Sequence, residues 1–327
     1  MINFEYSRVN TIEAALAAWK KNPGSAYIAG GTNLVDLMKN GVTVPGRLID
    51  ITPIPLKEVS VKGSVLHVGA LVANSDLAEH PLVKEKLPLL SRALLAGASA
   101  QLRNMATVGG NLLQRTRCSY FYDNDMPCNK RVPGSGCGAR EGINRMHAIF
   151  GHSDACIAVH PSDMCVALAA LEATVEVRGT AGSRRIAITD FHRLPGNDAV
   201  NDNTLRPGEL ITGIEIPIPP ADTQAGYLKI RDRASYAFAL VSSAVLLNQR
   251  EGIVTRARIA LGGVAHKPWR LPKVEQYLTG KKLTAAVLNE AAKLSTEGAK
   301  AFEHNQFKLK LLPAMLEESL RQTAGNI

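Results

Sequence analysis

Ala26-Tyr27-Ile28-Ala29-Gly30-Gly31-Thr32-Asn33-Leu34 reads as a short strand that runs into a two-glycine turn and then a helix. Leu34, Leu37 and Met38 fall at the i, i+3, i+4 spacing of one helical face. A turn with two glycines lets backbone N–H groups approach an anion, and the N-terminus of the following helix adds positive potential. The wording is neither G-x-G-x-x-G nor a Walker A loop, so a simple chain reversal explains it about as well. A second unit of the same kind lies further on, Ala106-Thr107-Val108-Gly109-Gly110-Asn111. Two such turns can face one phosphate-bearing ligand from opposite sides.

Outward from these turns the chain alternates between strands and helices. Residues 1–9 read as a strand. Asn10 with Glu13 resembles a capping box and predicts a helix from Thr11 to Lys21, stopped by Asn22-Pro23-Gly24. Leu48–Ile51 and Val65–Gly69 read as strands, with His67 an ordinary strand residue. Ser75 is a candidate cap, and Leu82 to Leu102 reads as mostly helical. Ser162 or Asp163 caps an apolar helix from Met164 to Leu171, with Cys165 in its core face. A hairpin joins Thr174–Val177 to Arg185–Ile188, and Ile211–Ile216 is a strand. Pro217 to Gly226, containing Pro219-Pro220, is the best domain boundary. Strands at 227–231, 239–247 and 255–261 precede helices at 272–279, 283–295 and 308–322. The last helix puts Leu309, Leu312, Leu316 and Leu320 on one face, to pack on its own domain in preference to a partner.

Four of the five cysteines, Cys118, Cys128, Cys137 and Cys156, lie in a polar, Gly-rich stretch with no periodicity. A loop this long needs something to tie it down. Thiolates on a metal centre would do so, and four suit zinc or an iron–sulfur cluster. The spacing matches neither a zinc ribbon nor the tight ferredoxin run. Free buried thiols, two disulfides, or zinc with help from His147 or His152 remain open on these residues alone. From Gln114 to Cys156 there are six Lys/Arg and four Asp/Glu. That basic surplus would offset the charge of an oxidised four-iron cluster with four thiolates, about −2.

The 327 residues allow two domains or one large one, and 46% hydrophobic content allows a sizeable core. The net charge of +9 is spread without a Lys/Arg run or interleaved aromatics, which argues against nucleic acid. A phosphate-bearing cofactor or acidic partner surfaces account for it as well. Met1-Ile2-Asn3-Phe4-Glu5 does not open a secretory signal, and no run is apolar enough to span a membrane. The chain on its own is expected in the cytoplasm, or in the periplasm if a signal-bearing partner exports it folded.

Taken in order, Ala29–Leu34, Ala106–Asn111, Ser162-Asp163-Met164 and Leu210-Ile211-Thr212-Gly213-Ile214-Glu215-Ile216-Pro217 resemble the FAD-binding subunit of the molybdenum hydroxylases, the xanthine dehydrogenase and carbon monoxide dehydrogenase family. The resemblance covers essentially the whole chain. It implies an α+β fold: a PCMH-type FAD-binding pair of α+β subdomains at 1–55 and 56–220, then a C-terminal α+β domain of the CO dehydrogenase flavoprotein type at 225–325. The cysteine stretch, 114–157, is similar to the insertion in the minority of members whose flavin subunit carries an extra [4Fe-4S] cluster, such as 4-hydroxybenzoyl-CoA reductase. The wording around Cys118 and Cys128 most resembles the FAD subunit of periplasmic aldehyde oxidoreductases. By this likeness Cys118, Cys128, Cys137 and Cys156 are the cluster ligands.

The likeness also implies roles for the FAD site. Ala26, Tyr27, Ile28, Ala29, Gly30, Gly31, Thr32, Asn33 and Leu34 would wrap the pyrophosphate and the near edge of the flavin. Ala106, Thr107, Gly110 and Asn111 would contact the diphosphate and ribityl chain. Gln114 stands where many relatives carry a hydroxyl residue. Asp163 would bond a sugar or ribityl hydroxyl, Ile211 would pack on the flavin, and Lys229 would reach its ring or phosphate. No catalytic acid, base or nucleophile is expected. The implied partners are a molybdopterin-binding large subunit and a small [2Fe-2S] subunit, in a complex that oxidises an aldehyde. Two other functions compete: a free-standing flavin oxidoreductase and a zinc-binding scaffold.

Overall fold

The computed structural model describes residues 1–325. Its first layer is a small parallel sheet of β1 (Glu5–Arg8), β2 (Ala26–Ile28) and β3 (Arg47–Asp50), in the order β1-β3-β2. Parallel neighbours need crossovers, and the helices Ile12–Lys21 and Leu34–Lys39 supply them. The cap of the first helix is Thr11, not Asn10: its hydroxyl accepts from the Ala14 N–H at 3.1 Å. The second helix follows directly on the Gly30-Gly31 turn, so the turn stands at the edge of this sheet.

The second layer is antiparallel: β4 (Val59–Lys62), β5 (Val65–Gly69), β6 (Thr174–Gly179), β7 (Gly182–Ala187) and β8 (Leu210–Pro217), in the order β4-β5-β8-β6-β7. Leu66 and Val68 on β5, and Val175 and Val177 on β6, face the core by two-residue alternation. β4 was not anticipated from the sequence. The stretch from 82 to 102, expected to be mostly helical, is divided among three helices: Pro81–Lys86, Pro88–Ala96 and Ala100–Met105. Pro88 cannot continue a helix because it lacks the N–H and crowds the preceding turn. Ala98 at φ 54 makes the second break. Ser75 lies inside the helix Asn74–Glu79, whose N-cap is Ala73.

The third layer is a four-stranded antiparallel sheet: β9 (Gln224–Ile230), β10 (Val241–Arg250), β11 (Ile253–Gly262) and β12 (Trp269–Arg270), in the order β12-β11-β10-β9. Helices Pro272–Leu278, Ala285–Leu294 and Lys308–Thr323 pack with it. Leu312, Leu316 and Leu320 of the last helix are fully buried among Val245, Leu247 and Ile259 of its own domain. Between the second and third layers runs the helix Asp163–Ala170, buried along its whole length. It shares one core with Val175 and Ile214 on one side and with Ala244 and Ala260 on the other. This helix therefore fixes Asp163 where the two layers meet.

The cysteine stretch stays irregular apart from one short helix, Ser119–Tyr122, and a bridge pairing Cys128 with Cys137. Buried polar contacts pin it. The Lys308 ammonium donates to the carbonyls of His147 at 2.9 Å and Gly263 at 2.7 Å, and burial pushes its pKa down to about 7. Lys130 donates to the Ala199 carbonyl and the Asp202 carboxylate, which Arg115 also holds. Among the described residues no helix is long and apolar enough to cross a membrane.

Candidate functional site

The two Gly-Gly turns meet. A Cβ on Gly30 would stand 1.7 Å from the Met105 carbonyl oxygen, so the first turn lies against the backbone that leads into the second. Gly31 has φ +70, a conformation that glycine adopts without strain. Thr107 caps the helix Val108–Leu112 by accepting from the Gly110 N–H at 3.2 Å. Around these turns lie two open cavities, of about 290 and 680 Å³, that share Thr32, Asn33 and Gly110 as walls. They form one continuous cleft.

Every flavin-site residue expected from the sequence lines this cleft. Ala26 to Leu34, Thr107, Gly110 and Ile211 line its first part. Ala106, Asn111, Gln114, Asp163 and Lys229 line its second. Gln114 donates its amide to the Asn111 side-chain oxygen at 2.7 Å, and the Ser162 hydroxyl donates to the same oxygen at 2.6 Å. Ser162, not Asp163, caps its helix, so the Asp163 carboxylate is spent on contacts other than the cap. Asn33 accepts from the Arg115 N–H, while its own amide nitrogen is buried without a partner. The cleft thus offers polar groups awaiting a ligand between apolar walls.

One ion pair anchors the inner end. Lys229 donates to Asp163 at 2.8 Å and to the Ala96 carbonyl at 3.1 Å, with both side chains nearly inaccessible. The Tyr227 hydroxyl donates to the other Asp163 oxygen at 2.5 Å, and burial holds that phenol well above its ordinary pKa. Sequence reasoning missed Tyr227, although it stands two residues before Lys229 and so shares its strand face. It also missed Asn74, which is buried at the cleft wall with its side-chain oxygen unpartnered.

Beside the cleft, Cys118, Cys128, Cys137 and Cys156 all line one small, tightly packed cavity of about 10 Å³. All five cysteines are free thiols. Cys165 is buried in its helix, as expected. Desolvation, reinforced by neighbouring cysteines, pushes the Cys118 thiol up to about 12 and Cys156 to about 11. Burial disfavours the thiolates unless a cationic centre takes the protons' place. A tetrahedral zinc with Zn–S near 2.3 Å needs sulfurs about 3.8 Å apart. Among the described residues, no three ligand atoms of this loop come within 4.8 Å of one another. The four cysteines are therefore not set in the geometry of a single tetrahedral ion. His152 is not at this cavity; its ring bonds the Lys300 carbonyl.

Residues 2–219 match the model of the FAD-binding domain in molybdopterin dehydrogenases, and residues 226–323 match the CO dehydrogenase flavoprotein C-terminal domain. The chain belongs to this family of flavoprotein subunits, and it is one component of an oxidoreductase complex. It is 50% identical over 323 residues to the aldehyde oxidoreductase FAD-binding subunit PaoB of Escherichia coli K12, covering 98% of both chains. It is 28% identical to the glyceraldehyde dehydrogenase medium chain of Sulfolobus acidocaldarius, covering 90% of this chain and 88% of that one. Among solved structures, carbon monoxide dehydrogenase of Hydrogenophaga pseudoflava superposes with a TM-score of 0.79 at 25% identity, covering 100% and 99%. Quinoline 2-oxidoreductase of Pseudomonas putida 86 gives 0.77 at 25% identity, covering 99% and 97%. The α+β fold read from the sequence is thereby the fold of this family.

Proposed function

We propose that this chain is the FAD- and [4Fe-4S]-containing electron-transfer subunit of a molybdenum-dependent aldehyde oxidoreductase. The observation that carries the reading is the convergence of both Gly-Gly turns, Asp163, Ile211 and Lys229 on one cleft. The 50% identity to an aldehyde oxidoreductase subunit supports the substrate class. Bound FAD accepts electrons in pairs and passes them on singly or in pairs. The chain's own residues bind and orient it. Backbone N–H groups of the two turns would face the diphosphate, Asp163 would accept from a hydroxyl, Ile211 would pack on a ring, and Lys229, paired with Asp163, would fix the inner end.

A molybdopterin-binding large subunit would oxidise the aldehyde, and a small [2Fe-2S] subunit would relay electrons to the flavin. The gathering of the four cysteines around one cavity is the observation behind the [4Fe-4S] assignment. Export of the folded complex by a signal-bearing partner would place it in the periplasm. A free-standing flavin oxidoreductase is the competing reading, and turnover separates the two. Aldehyde-dependent dye reduction by the assembled complex, with none by the flavin-loaded chain alone, is the expected outcome. Steady aldehyde turnover by the chain alone would overturn the assignment.

Asp163→Asn tests the cleft directly. Losing a hydrogen bond to a charged group costs about 1.5–3 kcal/mol, so FAD affinity should fall roughly ten- to a hundredfold. Fluorescence titration of the deflavinated protein measures it, and an unchanged dissociation constant would remove Asp163 from the site.

A further inference from the structure

We propose that His147 and His266 donate N–H hydrogen bonds to the thiolates of Cys118 and Cys156, and that these two bonds raise the reduction potential of the cluster held there. The inference rests on reading the cysteine cavity as a [4Fe-4S] site. His147 Nε2 lies 3.1 Å from Cys118 Sγ, and His266 Nε2 lies 3.3 Å from Cys156 Sγ. No other side chain among the described residues hydrogen-bonds the sulfur of any of the four cysteines. Both imidazoles are buried, at 5% and 7% exposure.

The two histidines reach the cavity from separate parts of the chain. His147 lies within the cysteine stretch, and its carbonyl is fixed by Lys308 and Asn305. His266 follows β11 of the C-terminal domain. In each ring the second nitrogen, Nδ1, is buried with no hydrogen-bond partner. A neutral imidazole carries one N–H, on one nitrogen or the other. With it on Nδ1, a buried donor would face nothing, which native structures rarely tolerate. With it on Nε2, the proton points at sulfur and only a lone pair is left over. The ring environment therefore selects the tautomer that donates to the thiolate.

An N–H dipole aimed at a ligand sulfur stabilises the state with more negative charge. One-electron reduction adds a negative charge and no proton, so each bond favours the reduced cluster. Among the described residues no side chain donates to Cys128 or Cys137. The tuning is thus applied at the two thiolates that the histidines reach.

The test uses the assembled complex with His147→Phe, His266→Phe and the donor-retaining His147→Gln and His266→Gln, in EPR-monitored redox titrations. A hydrogen bond to a charged group is worth enough for each Phe variant to lower the reduced-to-oxidised ratio at the native midpoint about tenfold, a shift of about 59 mV for one electron. The Gln variants should recover most of it. Iron and sulfide assays on the same samples separate the two failures. Fewer than about four irons per complex beyond those of the [2Fe-2S] subunit would defeat the cluster reading. Four irons with unmoved potentials in both Phe variants would defeat this inference alone. If the Phe variants assemble no cluster, resonance Raman of the native protein decides: Fe–S(Cys) stretches should shift in D2O, and their insensitivity would overturn the proposal.

Discussion

Gly30→Ala should strip the flavin from this subunit. The added methyl would lie 1.7 Å from the Met105 carbonyl oxygen and 2.6 Å from its carbon, both backbone atoms that cannot swing aside. The turn must then retreat from the segment that leads into Thr107 and Gly110, and the two sides of the cleft separate. Misplacing the turn costs the diphosphate several charge-assisted backbone hydrogen bonds at once, each worth about 1.5–3 kcal/mol. Flavin content should fall below about a tenth of the native value, since two such bonds already exceed a hundredfold in affinity. Gly46→Ala is the control, because nothing lies within 4 Å of its added methyl. Flavin released from acid-precipitated protein measures both. Native flavin content in Gly30→Ala would show that the turns do not jointly hold the cofactor.

Cys128→Ser should abolish the cluster while sparing the flavin. Cys128 is buried at the cavity and paired across a bridge with Cys137, so its sulfur has no freedom to be replaced by a neighbour. Serine is a harder, more basic ligand than thiolate and suits iron–sulfur chemistry poorly. Iron and sulfide should drop from about four per chain to near zero, and the loop should become sensitive to protease because its anchor is gone. Cys165→Ala, inside the helix Asp163–Ala170, should keep all its iron. Iron lost from Cys165→Ala but retained in Cys128→Ser would reverse the ligand assignment.

These effects trace back to features of unequal visibility in the sequence. The strands β5 and β6 and the last helix were legible because one face of each is buried, which leaves a period of two or of three to four in the residues. β4 was not, because Val59-Ser60-Val61-Lys62 is a short edge strand with no fully buried residue. Thr11 and Asn10 are both good caps by type. The choice fell to Thr11, whose extended backbone aims its hydroxyl at the Ala14 N–H. The cleft-lining glycines announce themselves because no other residue allows the close approach at Gly30. The partners of the site do not. Tyr227 and Asp163, or His266 and Cys156, are pairs made only by tertiary packing across 64 and 110 positions. His266 in particular reads as one of several scattered histidines until the fold sets it against a sulfur.

The most direct measurement is an absorption spectrum of the purified native protein, combined with flavin, iron, sulfide and zinc assays. The predicted result is flavin bands over a broad iron–sulfur shoulder, with about one flavin and about four irons and four sulfides per chain. Protein without yellow colour, or stoichiometric zinc with no iron, would contradict the account.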